Sequence, residues 1–132
     1  MSIRFLNVDL EVQSHKDLGP IAADFGEDVL TLYCGDAHTH KLALFETAVS
    51  YGDPDTTISH FCTMIEGMSA DVRSLWTDSF SKVFDIGYES GLSSQKYSSE
   101  LRPDIVARVA AIGASIRVTI YPPMPEKKDE DA

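Results

Sequence analysis

The chain has 132 residues and a mass of 14.5 kDa, with 43% hydrophobic and 24% charged residues. This size predicts a single domain, and the apolar fraction excludes a chain that is disordered throughout. Eleven Lys and Arg against 21 Asp and Glu give a formal net charge of −10. Nucleic acids and anionic membranes are therefore disfavoured as partners, because both bind through basic clusters.

We expect neither a membrane span nor a signal peptide in this sequence. No apolar run reaches the roughly 18–20 residues that span a membrane, and MSIRFLNVDLEV lacks the apolar centre of a signal peptide. We therefore expect a cytoplasmic protein in which Cys34 and Cys62 remain thiols, with Cys62 in the core. We expect one domain over residues 1–124 and an acidic disordered tail over residues 125–132.

The first half of the chain has the patterns of strands and one helix. Residues 6–13 alternate between apolar and polar, which predicts a strand with one buried face. Apolar residues at helical spacing over residues 18–25 predict a short amphipathic helix that ends at Gly26. Residues 29–34 and 41–48 predict two strands of a hairpin, joined by the polar stretch GDAHTH.

The second half continues with helices and two more strands. Asp53-Pro54 is a typical helix start, and the segment it begins predicts one helix or two in succession. Residues 82–89 predict a fourth strand, and the serine-rich residues 90–100 predict a loop. Pro103 begins the last helix, and residues 116–121 predict a strand that is stopped by two prolines.

This order, β-α-β-β-α(α)-β-α-β, predicts an α+β domain. Its first six elements match the split βαβ of a ferredoxin-like core, which a further helix and strand extend. Strict alternation predicts a mostly antiparallel sheet with helices on one face. The other face then carries polar and aromatic side chains: Asn7, Asp9, Glu11, Asp85, Glu89, Arg117, Thr119 and Tyr121, with Thr31 and Tyr33 of the hairpin as further members.

These side chains favour a binding surface. Several carboxylates on one pleated face build a negative field, which attracts a basic protein or peptide. A face that is only solvated fits the same pattern, as does one that forms a homodimer through Tyr33 and Tyr121. The candidate binding residues are Asn7, Asp9, Glu11, Asp85, Glu89, Arg117 and Tyr121.

Catalytic and metal-binding motifs are weak. Cys34, Asp36, His38 and His40 lie within seven residues, and such residues can bind zinc, but the sequence indicates no further ligand. We assign no metal, no cofactor and no catalytic residue, since a nucleophile elbow and a glycine-rich phosphate loop are both absent from the sequence. Whether the protein is an enzyme stays open.

The alternative function is a small-ligand-binding protein or an enzyme. Its pocket would lie between the sheet and residues 90–100 and would use Asp85, Tyr88 and Glu89, with His38 as a further candidate. A deep pocket would favour this alternative, and a shallow face would favour a protein partner.

The C-terminal half resembles a known family. The segments FDIGYESGL (84–92) and LRPDIVARVAAIGASIRVTIYP (101–122) are similar to a widespread family of small bacterial domains of unknown function. Members end in a helix, then "lGa", then a strand closing with I-Y or V-Y, which correspond to Ile112-Gly113-Ala114 and Ile120-Tyr121. Some similar proteins look like immunity proteins of bacterial toxin systems. The resemblance therefore implies an immunity-like bacterial protein and carries over no catalytic residue.

Overall fold

Five strands and four helices make up the part of the chain that the computed structural model describes, residues 3–92 and 96–123. In chain order they are β1 (Arg4–Ser14), α1 (Gly19–Phe25), β2 (Val29–Ala37), β3 (His40–Thr47), α2 (Pro54–Glu66), α3 (Ala70–Asp78), β4 (Ser81–Glu89), α4 (Pro103–Ala111) and β5 (Ser115–Tyr121), with a 3-10 turn at Gly26–Asp28. The predicted α+β class and element order are confirmed. The expected tail, residues 125–132, lies outside the described residues, as do residues 93–95 of the predicted loop.

The strands form one sheet in the order β2-β3-β1-β4-β5. Strand β1 pairs antiparallel with both β3 and β4, and β2 pairs antiparallel with β3. Strands β4 and β5 are parallel, which requires a crossover between them, and α4 lies in that crossover. The sheet is therefore mostly antiparallel, as the alternation predicted.

Local sequence sets the ends of the helices. Asp53 caps α2, because its carboxylate accepts a hydrogen bond of 3.0 Å from the backbone N–H of Thr56. Pro54 and Pro103 stand in the first turns of α2 and α4, where a missing N–H costs nothing. Gly26 follows α1 with φ at +60°, a conformation that favours glycine. Among the described residues, no helix is long and apolar enough to cross a membrane.

A single hydrophobic core lies between the sheet and the helices. Strand β1 contributes Val8, Leu10 and Val12, and all four helices contribute buried side chains to the same cluster. Trp76 of α3 is fully buried, and its indole N–H donates a hydrogen bond of 2.8 Å to the carbonyl of Ile112. This contact joins α3 to the end of α4. Cys62 is a buried core thiol, as predicted.

The β2–β3 hairpin is tighter than predicted. Strand β2 runs to Ala37 and β3 begins at His40, so most of the polar stretch GDAHTH belongs to the strands. The turn itself is His38 and Thr39, and His38 has a positive φ of 56°. Polar composition therefore overestimated the length of the connection.

The register of the hairpin shifts between Thr31 and Tyr33. Thr31 pairs with Phe45, a core residue, whereas Tyr33 pairs with Leu44 on the opposite face. A bulge of this kind exchanges the faces of the residues on its two sides. The expectation that Thr31 joins the face opposite the helices is therefore wrong, and Tyr33 does join it.

Candidate functional site

The sheet face opposite the helices, which we call the open face, is organised in rows that cross the strands. One row contains Leu30 on β2, Glu46 on β3, Asp9 on β1, Asp85 on β4 and Arg117 on β5. We call its three central members, Glu46, Asp9 and Asp85, the carboxylate row. The register thus brings together the predicted residues Asp9, Asp85 and Arg117, and it adds Glu46.

Sequence reasoning missed Glu46. Strand β3 has apolar residues on both faces, with Leu42 and Leu44 on the same face as Glu46 and Phe45 in the core. Such a nearly continuous apolar pattern does not show which face is buried. The alternation of side chains along a strand could have identified Glu46, because it places Glu46 on the same face as Leu42 and Leu44.

Asp9 lies between the other two carboxylates of the row and is half-buried. Partial burial raises the pKa of Asp9 from its ordinary value of 3.8 to about 6, and the charges of Glu46 and Asp85 add to the effect. Asn7 donates a hydrogen bond of 3.1 Å to Asp9. Like charges opposite each other on neighbouring strands destabilise a sheet. Groups with a strongly shifted pKa are often found at functional sites.

Arg117 neutralises part of the row. Its guanidinium lies 3.2 Å from Glu11 and 3.5 Å from Asp85, and the hydrogen bond to Glu11 raises its pKa further above the ordinary value. Thr119 donates a hydrogen bond of 2.7 Å to Asp85. In residues 3–92 and 96–123, no cation lies within ion-pair distance of Asp9. The row therefore retains uncompensated negative charge.

Glu89 departs from the prediction that it is exposed. Its exposed fraction is only 6%, and Arg4 donates a hydrogen bond of 3.2 Å to its carboxylate. Its neighbour across the strands, Tyr121, is exposed, and a Cβ added at Gly87 would lie 3.5 Å from the Tyr121 ring. Glu89 is consequently an internal ion-pair partner, which corrects its assignment as a surface carboxylate.

Apolar side chains border the carboxylate row on β2 and β3. Leu30 is 50% exposed and Tyr33 is 43% exposed. Leu42 and Leu44 lie on the same face and are half-buried. A patch of exposed apolar side chains rimmed by charges is typical of a protein-binding surface. The open face therefore combines a negative centre with an apolar margin.

A cavity of about 150 Å³ opens beside the carboxylate row, and Glu46 of the row lines it. It lies at the end of the β1–β3 pairing, where Asp9 is paired with Glu46. The ring of Tyr51 in its wall stacks on His60, with ring centroids 4.0 Å apart. The cavity is lined by Phe5, Leu6, Asn7, Val8, Leu30, Glu46, Thr47, Ala48, Ser50, Tyr51 and Thr57. Apolar walls and one carboxylate suit the stem and cation of a long basic side chain.

A second cavity, of about 250 Å³, lies against β4 and β5 on the helix side of the sheet. It is lined by Ile3, Tyr88, Tyr97, Ser99, Val118 and Ile120, and Tyr88 donates a hydrogen bond of 2.8 Å to Ser99. The alternative pocket predicted from the sequence grouped Tyr88 with Asp85 and Glu89. That grouping is wrong, because alternation places Asp85 and Glu89 on the opposite face. His38 belongs to the β2–β3 turn and does not line the cavity.

The segment from Cys34 to His40 makes contacts other than metal ligation. Asp36 pairs with Lys41, and the ring of His40 packs edge-on against Phe80 with centroids 5.4 Å apart. In the described ranges, no group of three or more His, Cys, Asp or Glu is placed to hold a metal ion.

Three comparisons with known proteins found no match, whether against protein-family models, curated proteins or solved structures.

Proposed function

We propose that the protein is a cytoplasmic binding module that holds a basic protein partner on its open face. The observation that carries this proposal is the carboxylate row, in which Glu46, Asp9 and Asp85 stand opposite one another on three adjacent strands. Partial burial raises the pKa of Asp9 to about 6, and the repulsion from Glu46 and Asp85 adds to the effect. A cation supplied by a partner would relieve this repulsion. The carboxylates that destabilise the free protein would then stabilise the complex.

The 150 Å³ cavity supports a more specific contact within this proposal. A lysine or arginine of the partner would lay its methylene stem against Leu30 and Tyr51 and bring its cation to Glu46. The exposed side chains Leu30 and Tyr33 would contact apolar residues beside that anchor. The proposed partner segment is therefore both basic and apolar.

Two finer assignments belong to the same proposal. The C-terminal resemblance and the net charge of −10 support an immunity-like role, in which the basic partner is a toxin. The order β2-β3-β1-β4 with antiparallel neighbours supports a ferredoxin-like core, with β5 as the extension.

A second candidate function is the binding of a small apolar ligand. The 250 Å³ cavity favours it, since the cavity has apolar and aromatic walls and the hydroxyls of Tyr88 and Ser99. Its volume lies below the roughly 300–1,000 Å³ of most ligand pockets. Protein binding therefore ranks first.

The test is affinity capture from the native cell extract with three forms of the protein. These are the wild type, Asp9→Lys, and Asp24→Lys as a matched control, since Asp24 is an exposed acid of helix α1. The two variants change the net charge equally. Their melting temperatures show whether the fold is retained.

We expect the wild type and Asp24→Lys to recover the same basic protein at matched stoichiometry. We expect Asp9→Lys to recover at least about tenfold less, because a buried or partly buried charge pair lost at an interface commonly costs more than 1.4 kcal/mol. Equal recovery by all three forms would contradict the proposal. Recovery of no protein by any form would favour the small-ligand alternative.

A further inference from the structure

Strand β5 lies at one edge of the sheet and carries solvent-exposed apolar side chains. It is the last strand in the order β2-β3-β1-β4-β5. On the side that faces the helices, Ile116, Val118 and Ile120 are 37%, 56% and 52% exposed. Their neighbours on β4, Phe84, Ile86 and Tyr88, are all buried. The helices therefore cover β4 and leave β5 uncovered.

The edge lacks the features that usually prevent strand pairing. Proteins protect exposed edges with proline, bulges or inward-pointing charges. Strand β5, SIRVTIY, contains no proline and pairs with β4 in unbroken register. Its one charged residue, Arg117, lies on the open face and is paired with Glu11 and Asp85 of the same chain. An approaching strand would therefore meet no unpaired charge along β5.

We propose that two copies of this chain pair through antiparallel contact of their β5 strands, in a register centred on Val118. In this register Val118 meets its own copy and Ile116 meets Ile120, so the apolar stripe is self-complementary. All seven residues from Ser115 to Tyr121 find a partner. The pairing ends before Pro122, which could not continue a ladder.

The choice of a second copy follows from which segment could match the apolar stripe as a neighbouring strand. Residues 124–132, MPEKKDEDA, include six charged residues, and Met124 is the one large apolar side chain among them, so this segment does not match a stripe of three. A second copy places an identical stripe beside this one on the same face of the joined sheet, so that apolar side chains contact one another across the two strands. The apolar surface also continues past the strand, since the cavity beside Val118 and Ile120 includes Ile3 and Tyr97. This extension matters because a specific interface needs about 600–800 Å² on each partner.

The proposed dimer is independent of the partner proposed for the open face. Pairing about a two-fold axis perpendicular to the sheet would join two five-stranded sheets into one of ten strands. The two open faces would then lie on the same side. The dimer could form whether or not the carboxylate row binds a basic protein.

The first experiment measures mass by light scattering over a series of concentrations. We expect the wild type to move from 14.5 kDa toward twice that mass, and Val118→Lys to stay a monomer. Leu32→Lys is the matched control, because Leu32 is 50% exposed on the opposite edge strand β2, and we expect it to dimerise as the wild type does. A monomeric wild type at every concentration, or a dimeric Val118→Lys, would overturn the proposal.

A second experiment decides the matter if Val118→Lys does not fold. In a Cys34→Ser background, Val118→Cys places two thiols opposite each other, with Cα atoms about 4.5–5.5 Å apart, within reach of a disulfide. Ile116→Cys would stand about 13 Å from its copy, four residues out of register. Mild oxidation should cross-link Val118→Cys and not Ile116→Cys. Equal cross-linking of both variants, or of neither, would contradict the register.

Discussion

Asp9 on β1 and Asp85 on β4 lie directly opposite each other in the sheet, but their surroundings differ. Asp85 receives a hydrogen bond from Thr119 and is paired with Arg117. Asp9 is flanked on its other side by a third carboxylate, Glu46. Partial burial raises the pKa of Asp9 to about 6, and the charges of Glu46 and Asp85 add to the effect.

Replacing Asp9 with asparagine should stabilise the protein at neutral pH. The pKa of Asp9 is higher in the folded chain than in the unfolded chain, so the folded state binds more protons between about pH 4 and 6. The contribution of this group to stability is complete below pH 4 and is lost as the pH rises through 6. After allowance for its partial exposure, we expect Asp9→Asn to gain about 1–2 kcal/mol at pH 7.5.

Urea unfolding of both proteins at pH 4 and pH 7.5 measures this effect. The difference between Asp9→Asn and the wild type should be near zero at pH 4 and should grow with pH. Asp24→Asn, an exposed control on α1, should change little at either pH. A variant that is less stable than the wild type at pH 7.5 would show that the carboxylate at position 9 is not strained.

Replacing Arg117 with glutamine should destabilise the protein in a salt-dependent way. The change leaves Glu11 and Asp85 without their cation, and the repulsion within the row increases. Because the guanidinium is about half exposed, we expect a loss of about 0.5–1 kcal/mol at low salt. The loss should shrink in 0.5 M NaCl, since salt screens the unneutralised carboxylates.

Urea unfolding at the two salt concentrations measures the Arg117→Gln effect. Lys16→Gln is the control, because it breaks an exposed pair with Asp78 that lies outside the row, and it should cost less at low salt. A loss that is the same at both salt concentrations would contradict an electrostatic role for Arg117.

Most elements of the fold could be predicted from local patterns. Alternation over residues 6–13 gave β1, and Asp53-Pro54 marked the start of α2, because strand period and helix capping are encoded in adjacent residues. The solvent exposure of the apolar side chains of β5 could not be predicted in this way. This exposure depends on where α4 packs, and alternation over residues 116–121 is the same whether or not a helix covers the strand.

The candidate site could be predicted only in part. Alternation placed Asp9 and Asp85 on one face, but it could not show that they are direct neighbours, since register between distant strands is set by tertiary packing. The burial of Glu89 was missed because its partner, Arg4, lies 85 residues away in the sequence. Glu46 was missed because β3 is apolar on both faces.

Replacing Trp76 with phenylalanine should weaken the contact between α3 and α4. The change removes the hydrogen bond to the carbonyl of Ile112, which is itself buried, and leaves a small cavity. We expect a loss of about 2–4 kcal/mol. Far-ultraviolet circular dichroism during urea unfolding measures it, and Phe80→Leu, an exposed aromatic control, should cost less than about 1 kcal/mol. A loss below that of the control would show that the indole contact is unimportant.

Removing the cap of α2 should also destabilise the fold. Asp53→Ala eliminates the acceptor for the Thr56 N–H, and we expect a loss of about 1 kcal/mol at pH 7. Hydrogen bonding from Thr56 lowers the pKa of Asp53 below its ordinary value of 3.8. The stabilisation is therefore present above pH 4 and is lost as the pH falls through the lowered pKa. Asp53→Asn, which can still cap the helix, should retain most of the stability in thermal melts, and equal losses in both variants would argue against capping.

The most direct test of the open face follows the carboxyl carbons of Asp9 and Asp24 by NMR during a pH titration, with and without an excess of pentalysine. If the carboxylate row is a site for basic side chains, the peptide should lower the pKa of Asp9 from about 6 by much more than it changes the pKa of Asp24. If the peptide leaves Asp9 unchanged, or shifts both residues equally, the carboxylate row does not bind cations selectively and the proposed function is wrong.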